Sequence, residues 1–247
     1  MMPVKVIRPI HDDYWLDMVI VGVGKAGQRT IEKLSQKVHQ LYHNVDVSSL
    51  LLMDDTNFAS SKCYEEIKRA DVLFSIVDLT EEESLPKAYE IAKGRDEELS
   101  VCVCYGEYDE TLKTSYDNVI LVDDKETLDD VLIMVANMMR SGLVGVDFAN
   151  ILSMLRECPF CYYDHFNLAD IADIDRKVRI TGSEDTVNAL VHITTTSATS
   201  LEEVNTLIMA LYDVFQGKIV WNTHETRNCK DNRFYLSMVY GRNWKGL

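Results

Sequence analysis

The sequence predicts an α/β fold: a Rossmann-like parallel-sheet N-terminal domain, a central buried helix and a smaller α+β C-terminal domain. Three observations predict it. Short apolar runs alternate with helix-period segments through the first half of the 247-residue chain, as in parallel sheets covered on both faces. Residues 128–139 are apolar on nearly every side, as a helix buried all round must be. The second half then turns to strands with one strong helix among them. The expected divisions are 1–124, 125–142 and 143–247.

The elements follow in order. Residues 1–16 have no clear pattern. Asp17–Val21 is a short strand running into Gly22, Gly24 and Gly27, and Ile31, Leu34, Val38 and Leu41 mark a helix over Gln28–Tyr42. Strands are predicted at Leu50–Met53, Val72–Val77, Val101–Cys104 and Val119–Val122, with helices over Tyr64–Arg69 and Leu85–Lys93. After the apolar helix Leu128–Met139, a helix is predicted over Phe148–Leu155. Strands follow at Lys177–Thr181, Ala189–Thr195, Lys218–Trp221 and Arg233–Tyr240. Ser200 and Glu203 have the spacing of a capping box. Leu201, Val204, Ile208, Leu211 and Phe215 then form one stripe, which Gly217 ends.

Composition narrows the function. Apolar residues make up 47% of the chain, enough for packed cores. The 25 basic residues face 40 acidic ones, a net charge of −15. Such a surface repels nucleic acid and anionic lipid. Pro3, Lys5, Arg8 and Pro9 interrupt any secretory signal, and Asn137 breaks the longest apolar run. A soluble, cytoplasmic protein with reduced thiols at its six cysteines is expected.

Gly22-x-Gly24-x-x-Gly27 stands between a strand and a helix. Glycine there lets backbone amides approach a phosphate, with Lys25 adding charge. Equally, it permits tight strand–helix packing. With Asp54 ending the next strand the pattern also satisfies a dinucleotide fingerprint, at a longer spacing than usual. Cys158-Pro159-Phe160-Cys161, with His165 following, offers too few ligands for zinc by itself and fits structural thiols better than a metal or redox site.

The order of these parts resembles the FtsZ/tubulin superfamily over roughly residues 17–241. Gly22–Gly27 sits where FtsZ has its first phosphate loop. Met53–Asn57 is similar to the end of its second strand, Ala70–Phe74 to the strand before its main phosphate loop, and Asp129–Leu132 to the start of its central helix. Gly142–Ile151 resembles the loop FtsZ inserts into the next subunit, and it has no place in a dinucleotide-binding protein. Leu190–Thr194 and Ser200–Asn205 are similar to the family's C-terminal domain.

The resemblance implies GTP or GDP as ligand, contacts from Gly22, Gly24, Lys25, Gly27 and Asp130, and self-association or binding to another FtsZ-like protein. The Asp130 position equally suits an acidic helix cap. Three departures qualify the implication. The family's glycine-rich GGGTGTG run is replaced by Asp78-Leu79-Thr80-Glu81-Glu82-Glu83-Ser84, with four carboxylates. A carboxylate facing phosphate costs about 1–4 kcal/mol per pair, although the same run also suits an acidic helix start. Of the two aspartates FtsZ uses to polarise water, Asp147 matches the first but Asn150 stands at the second, and a neutral amide is no general base. The family's C-terminal linker and adaptor peptide have no counterpart up to Leu247. A structural or regulatory FtsZ-like protein with little or no hydrolysis is expected; a slow, polymer-forming GTPase and a dinucleotide-binding protein are the alternatives.

Overall fold

The computed structural model describes residues 2–7, 18–41, 50–53, 67–93, 99–138, 146–174, 177, 186–196, 198–215, 217–226 and 234–242. The chain divides into two compact units, Met1–Asp130 and Val131–Leu247.

In the first unit β1 (Met2–Ile7) and β2 (Met18–Val23) precede α1 (Gly24–Leu41) and β3 (Leu50–Met53). Then come β4 (Val72–Asp78), α2 (Ser84–Ala92), β5 (Leu99–Tyr105), α3 (Glu110–Ser115) and β6 (Asn118–Val122). β2, β4, β5 and β6 lie side by side, all parallel. β4 is buried at every position and β5 at all but Tyr105, so both faces of the sheet are covered there. This is why the two strands read as continuous apolar runs instead of alternating. α1 and α2 both pack on β2 and β4.

The sheet departs from a purely parallel one at its first strand. β1, formed by residues with no clear sequence pattern, pairs antiparallel with both β2 and β3. α1 starts at Gly24, four residues before the predicted Gln28, because the chain leaves β2 directly into the helix. α3 was not expected; Asp109 nucleates it by accepting hydrogen bonds from the Thr111 amide (2.8 Å) and hydroxyl. Residues 67–69 are helical, and the rest of the predicted helix Tyr64–Arg69 lies outside the described residues.

α4 (Leu128–Met138) is the predicted central helix. Leu128, Val131, Leu132, Met134, Val135 and Met138 are all buried. The boundary between the compact units falls within it, after Asp130.

The second unit contains α5 (Phe148–Glu157), β7 (Phe160–Leu168), β8 (Thr186–Thr195), α6 (Leu201–Val214), β9 (Ile219–Glu225) and β10 (Phe234–Arg242). β10 pairs antiparallel with β7 on one side and β8 on the other, and β8 pairs parallel with β9. α6 buries Val204, Leu207, Ile208 and Leu211 against Val191, Ile193, Leu236 and Met238. The Ser200–Glu203 capping box forms as expected. β7 has no counterpart among the predicted strands. The predicted strand Lys177–Thr181 lies outside the described residues apart from Lys177, which is helical.

Candidate functional site

The glycine motif is a junction where backbones touch. A Cβ on Gly22 would come within 2.4 Å of the Gly27 carbonyl oxygen, and one on Gly27 within 2.6 Å of the Ile76 carbonyl oxygen on β4. Gly22 and Gly27 therefore bring β2, α1 and β4 together. Gly24 differs, because its φ of +76° turns the strand straight into the helix.

A helix that starts this abruptly has several amides without intrahelical partners, at the positive end of the helix dipole. In this chain a carboxylate meets them. The Lys25 amide donates to both oxygens of Glu81, Oε1 at 3.1 Å and Oε2 at 3.0 Å, and the Ala26 amide donates to Oε1 at 3.3 Å. Such charge-assisted bonds at a helix start contribute about 0.3–1 kcal/mol when exposed and up to about 2 when partly buried; Glu81 is half-buried.

The Asp78–Ser84 loop holds that carboxylate in place. Leu79 N donates to the Tyr105 carbonyl (2.8 Å), Glu81 N to the Asp78 carbonyl (3.2 Å) and Ser84 N to the Glu81 carbonyl (3.0 Å). Buried Asp78 accepts from the Thr80 amide and hydroxyl at 3.0 and 2.6 Å. The four acids thus divide their roles. Asp78 braces the loop, Glu81 sits on α1, and Glu82 and Glu83 face solvent, Glu83 lying 3.5 Å from Lys87. Ser84 Oγ is buried without a hydrogen-bond partner among the described residues, 2.6 Å from where a Gly24 Cβ would stand. Of the acidic start expected for the loop's own helix, Glu83 stands at the N-cap of α2, while Glu81 reaches α1.

No protein-family model and no curated protein matches the sequence. Solved structures do match in fold. A mutant FtsZ from M. jannaschii has a TM-score of 0.67 at 14% identity, with 90% of this chain and 88% of that chain covered. CetZ2 from Haloferax volcanii, described as a GTPγS-bound protofilament, has a TM-score of 0.60 at 14% identity, with 92% of each chain covered. TubZ of Bacillus thuringiensis serovar israelensis, in GDP-form protofilaments, has a TM-score of 0.51 at 10% identity, with 73% and 66% covered.

The chain has the FtsZ/tubulin-superfamily fold.

Within that fold, Gly22, Gly24, Lys25 and Gly27 share one strand–helix junction, while the other sequence-predicted residues lie elsewhere. Asp130 is half-buried in the first turn of α4. It belongs to an acidic group around Lys33 of α1. The hydrogen bond to Glu126 (3.1 Å), with the charges of Asp129, Glu126 and Asp130, holds that ammonium above the ordinary lysine range. Asp147 caps α5: its Oδ1 accepts from the Ala149 amide at 3.0 Å, and its carbonyl accepts from the Asn150 amide at 2.9 Å. Both Asp147 and Asn150 are exposed. Residues 142–145, the first four of the expected inserted loop Gly142–Ile151, lie outside the described residues.

Cys158 ends α5 and Cys161 is the second residue of β7. His165 does not join them. It sits opposite Ser237, four residues along β7 from Cys161, with its ring 6.0 Å from Tyr235. Four residues of strand span about 13 Å. Among the described residues no group of three or more His, Cys, Asp or Glu side chains is placed to hold a metal ion. No helix among them is long and apolar enough to cross a membrane.

Sequence reasoning missed Glu81 as the partner of α1. The signal lay in β2 and β4 being sheet neighbours, which puts the loops after them side by side; adjacency of strands is not written in their order along the chain.

Proposed function

We propose that this chain is a structural or regulatory subunit of FtsZ/tubulin type that self-associates or joins an FtsZ-like filament with little or no nucleotide hydrolysis. One observation carries the reading: the Glu81 carboxylate lies on the Lys25 and Ala26 amides, the anion-binding end of α1. A phosphate entering there meets a carboxylate at ion-pair distance, at a cost of about 1–4 kcal/mol. The loop's replacement of glycine by Glu81, Glu82 and Glu83 adds to that repulsion. Asp147, the one retained acid of the expected hydrolytic pair, already caps α5, and Asn150 supplies no base. Self-association finds support in neighbours described as protofilaments.

Titration of a fluorescent guanine nucleotide onto the wild-type protein and Glu81→Ala, followed by a phosphate-release assay, tests this reading. The expected outcome is no saturable binding and background release for the wild type. Saturable guanine binding by the wild type, with turnover abolished in Asp147→Ala, overturns it in favour of a slow GTPase.

A further inference from the structure

The described residues include two close pairs of buried cysteines in opposite surroundings. Cys102 and Cys104 lie two apart on β5, between β4 and β6, with no measurable exposure. Burial there pushes the Cys102 thiol well above its ordinary pKa, and a protonated, enclosed thiol is inert.

Cys158 and Cys161 sit at a break in structure. Cys158 follows the last turn of α5, and Pro159 beside it is exposed. Cys161 Sγ lies 3.4 Å from the Cys158 carbonyl oxygen, and the Cys158 sulfur is the alternative acceptor for its one S–H. Asn188 reaches the same sulfur and is itself held in place. Its Oδ1 accepts from the Lys218 amide at 2.8 Å, and its Nδ2 donates to Glu157 at 3.4 Å. Gly241, opposite Cys161 across the β7–β10 pair, leaves the space for this sulfur, since a Cβ there would stand 2.7 Å from Cys158 Sγ. The hydrogen bonds from Cys161 and Asn188 favour the thiolate, opposed by burial and by the Glu157 charge, and the balance holds the Cys158 thiol below the ordinary cysteine range. Cys158 retains 5% exposure whereas Cys161 has none. One residue of the pair therefore keeps a trace of solvent access together with a thiol of lowered pKa, and the other lies buried beside it.

We propose that Cys158 and Cys161 are a peroxide-oxidised dithiol that closes to a reversible intramolecular disulfide. The Cys158 thiolate attacks one oxygen of hydrogen peroxide and the O–O bond breaks. The sulfur becomes a sulfenic acid, and the leaving hydroxide takes up the Cys158 proton as water. Cys161 sulfur then attacks the sulfenic sulfur. The S–S bond forms, the S–O bond breaks, and hydroxide leaves with the Cys161 proton as a second water. Two thiols lose two electrons and two protons, and one peroxide becomes two waters. A thiol–disulfide exchange partner such as dithiothreitol reverses the step.

The test exposes the full-length native protein to hydrogen peroxide, quenches it, alkylates after denaturation and maps cysteines by peptide mass spectrometry. The expected wild-type result is loss of two hydrogens and of both alkylation sites at Cys158 and Cys161, restored by dithiothreitol, with Cys102 and Cys104 still fully alkylated. With dimedone present, Cys161→Ser accumulates the adduct at Cys158, whereas Cys158→Ser shows none at Cys161. Brief alkylation of untreated native protein labels Cys158 about tenfold faster than Cys102. Full alkylation of Cys158 and Cys161 in peroxide-treated wild type overturns the proposal without recourse to any variant. So does a dimedone adduct that forms on Cys161 as fast as on Cys158.

Discussion

At Gly27 a single hydrogen atom stands between two backbones. The nearest atoms a Cβ would meet there are the Ile76 carbonyl oxygen at 2.6 Å and Gly22 backbone carbon at 2.9 Å, and neither can rotate away as a side-chain end would. Gly27→Ala is expected to destabilise the first unit by about 1–3 kcal/mol through overpacking, read as a lower urea midpoint. Gly22→Ala meets the same surface from the other side, so the pair should not be additive. A wild-type midpoint in Gly27→Ala would show that β4 yields there. The glycine spacing made this junction visible in the sequence, but not what each glycine does in it. Glu81 was less legible still. Glu81, Glu82 and Glu83 are three equivalent carboxylates on paper, and only the turn through the Asp78 and Glu81 carbonyls selects the first of them.

Elements were legible where period and cap agree. α6 combines an apolar stripe with a complete capping box: Ser200 Oγ accepts from the Glu203 amide at 3.2 Å, and Glu203 Oε2 accepts from the Ser200 amide at 2.8 Å. Ser200→Ala removes one of these bonds and is expected to cost about 0.5–2 kcal/mol, seen as a lower unfolding midpoint. Ser200→Asp, which restores an acceptor, should recover most of it; an unchanged midpoint in Ser200→Ala would mean that α6 is held by its buried face alone. The elements that escaped detection each lack such agreement. β7 opens after Cys158–Pro159 and mixes Tyr162 and Phe166 with Asp164 and Asn167, so its half-buried alternation is blurred. β1 carries Pro3 and Lys5, and the six-residue α3 is too short to display a period.

For the whole molecule, the order of elements sufficed to identify the fold, even though identity to the matched structures is only 10–14%. Packing constraints are shared by many sequences, whereas the chemistry of a site depends on a handful of side chains that such identity does not carry. Assembly is the property to measure at this scale. Light scattering and sedimentation are expected to show concentration-dependent association that is unchanged by added GTP. With a net charge of −15, copies repel one another, so association should strengthen as salt shortens the Debye length to about 8 Å near physiological strength. Association that begins only when GTP is supplied would favour the GTPase alternative.

Glu81 is covalently part of the chain whose helix it neutralises. Its supply at the α1 terminus is therefore fixed, whereas a diffusible anion stabilises a fold in proportion to its free concentration. On the proposed reading, filling this position from within uncouples the first unit's folding from the metabolic state of the cell: depletion of small phosphates would leave the α1 terminus with its counter-charge, and abundance would add nothing to it.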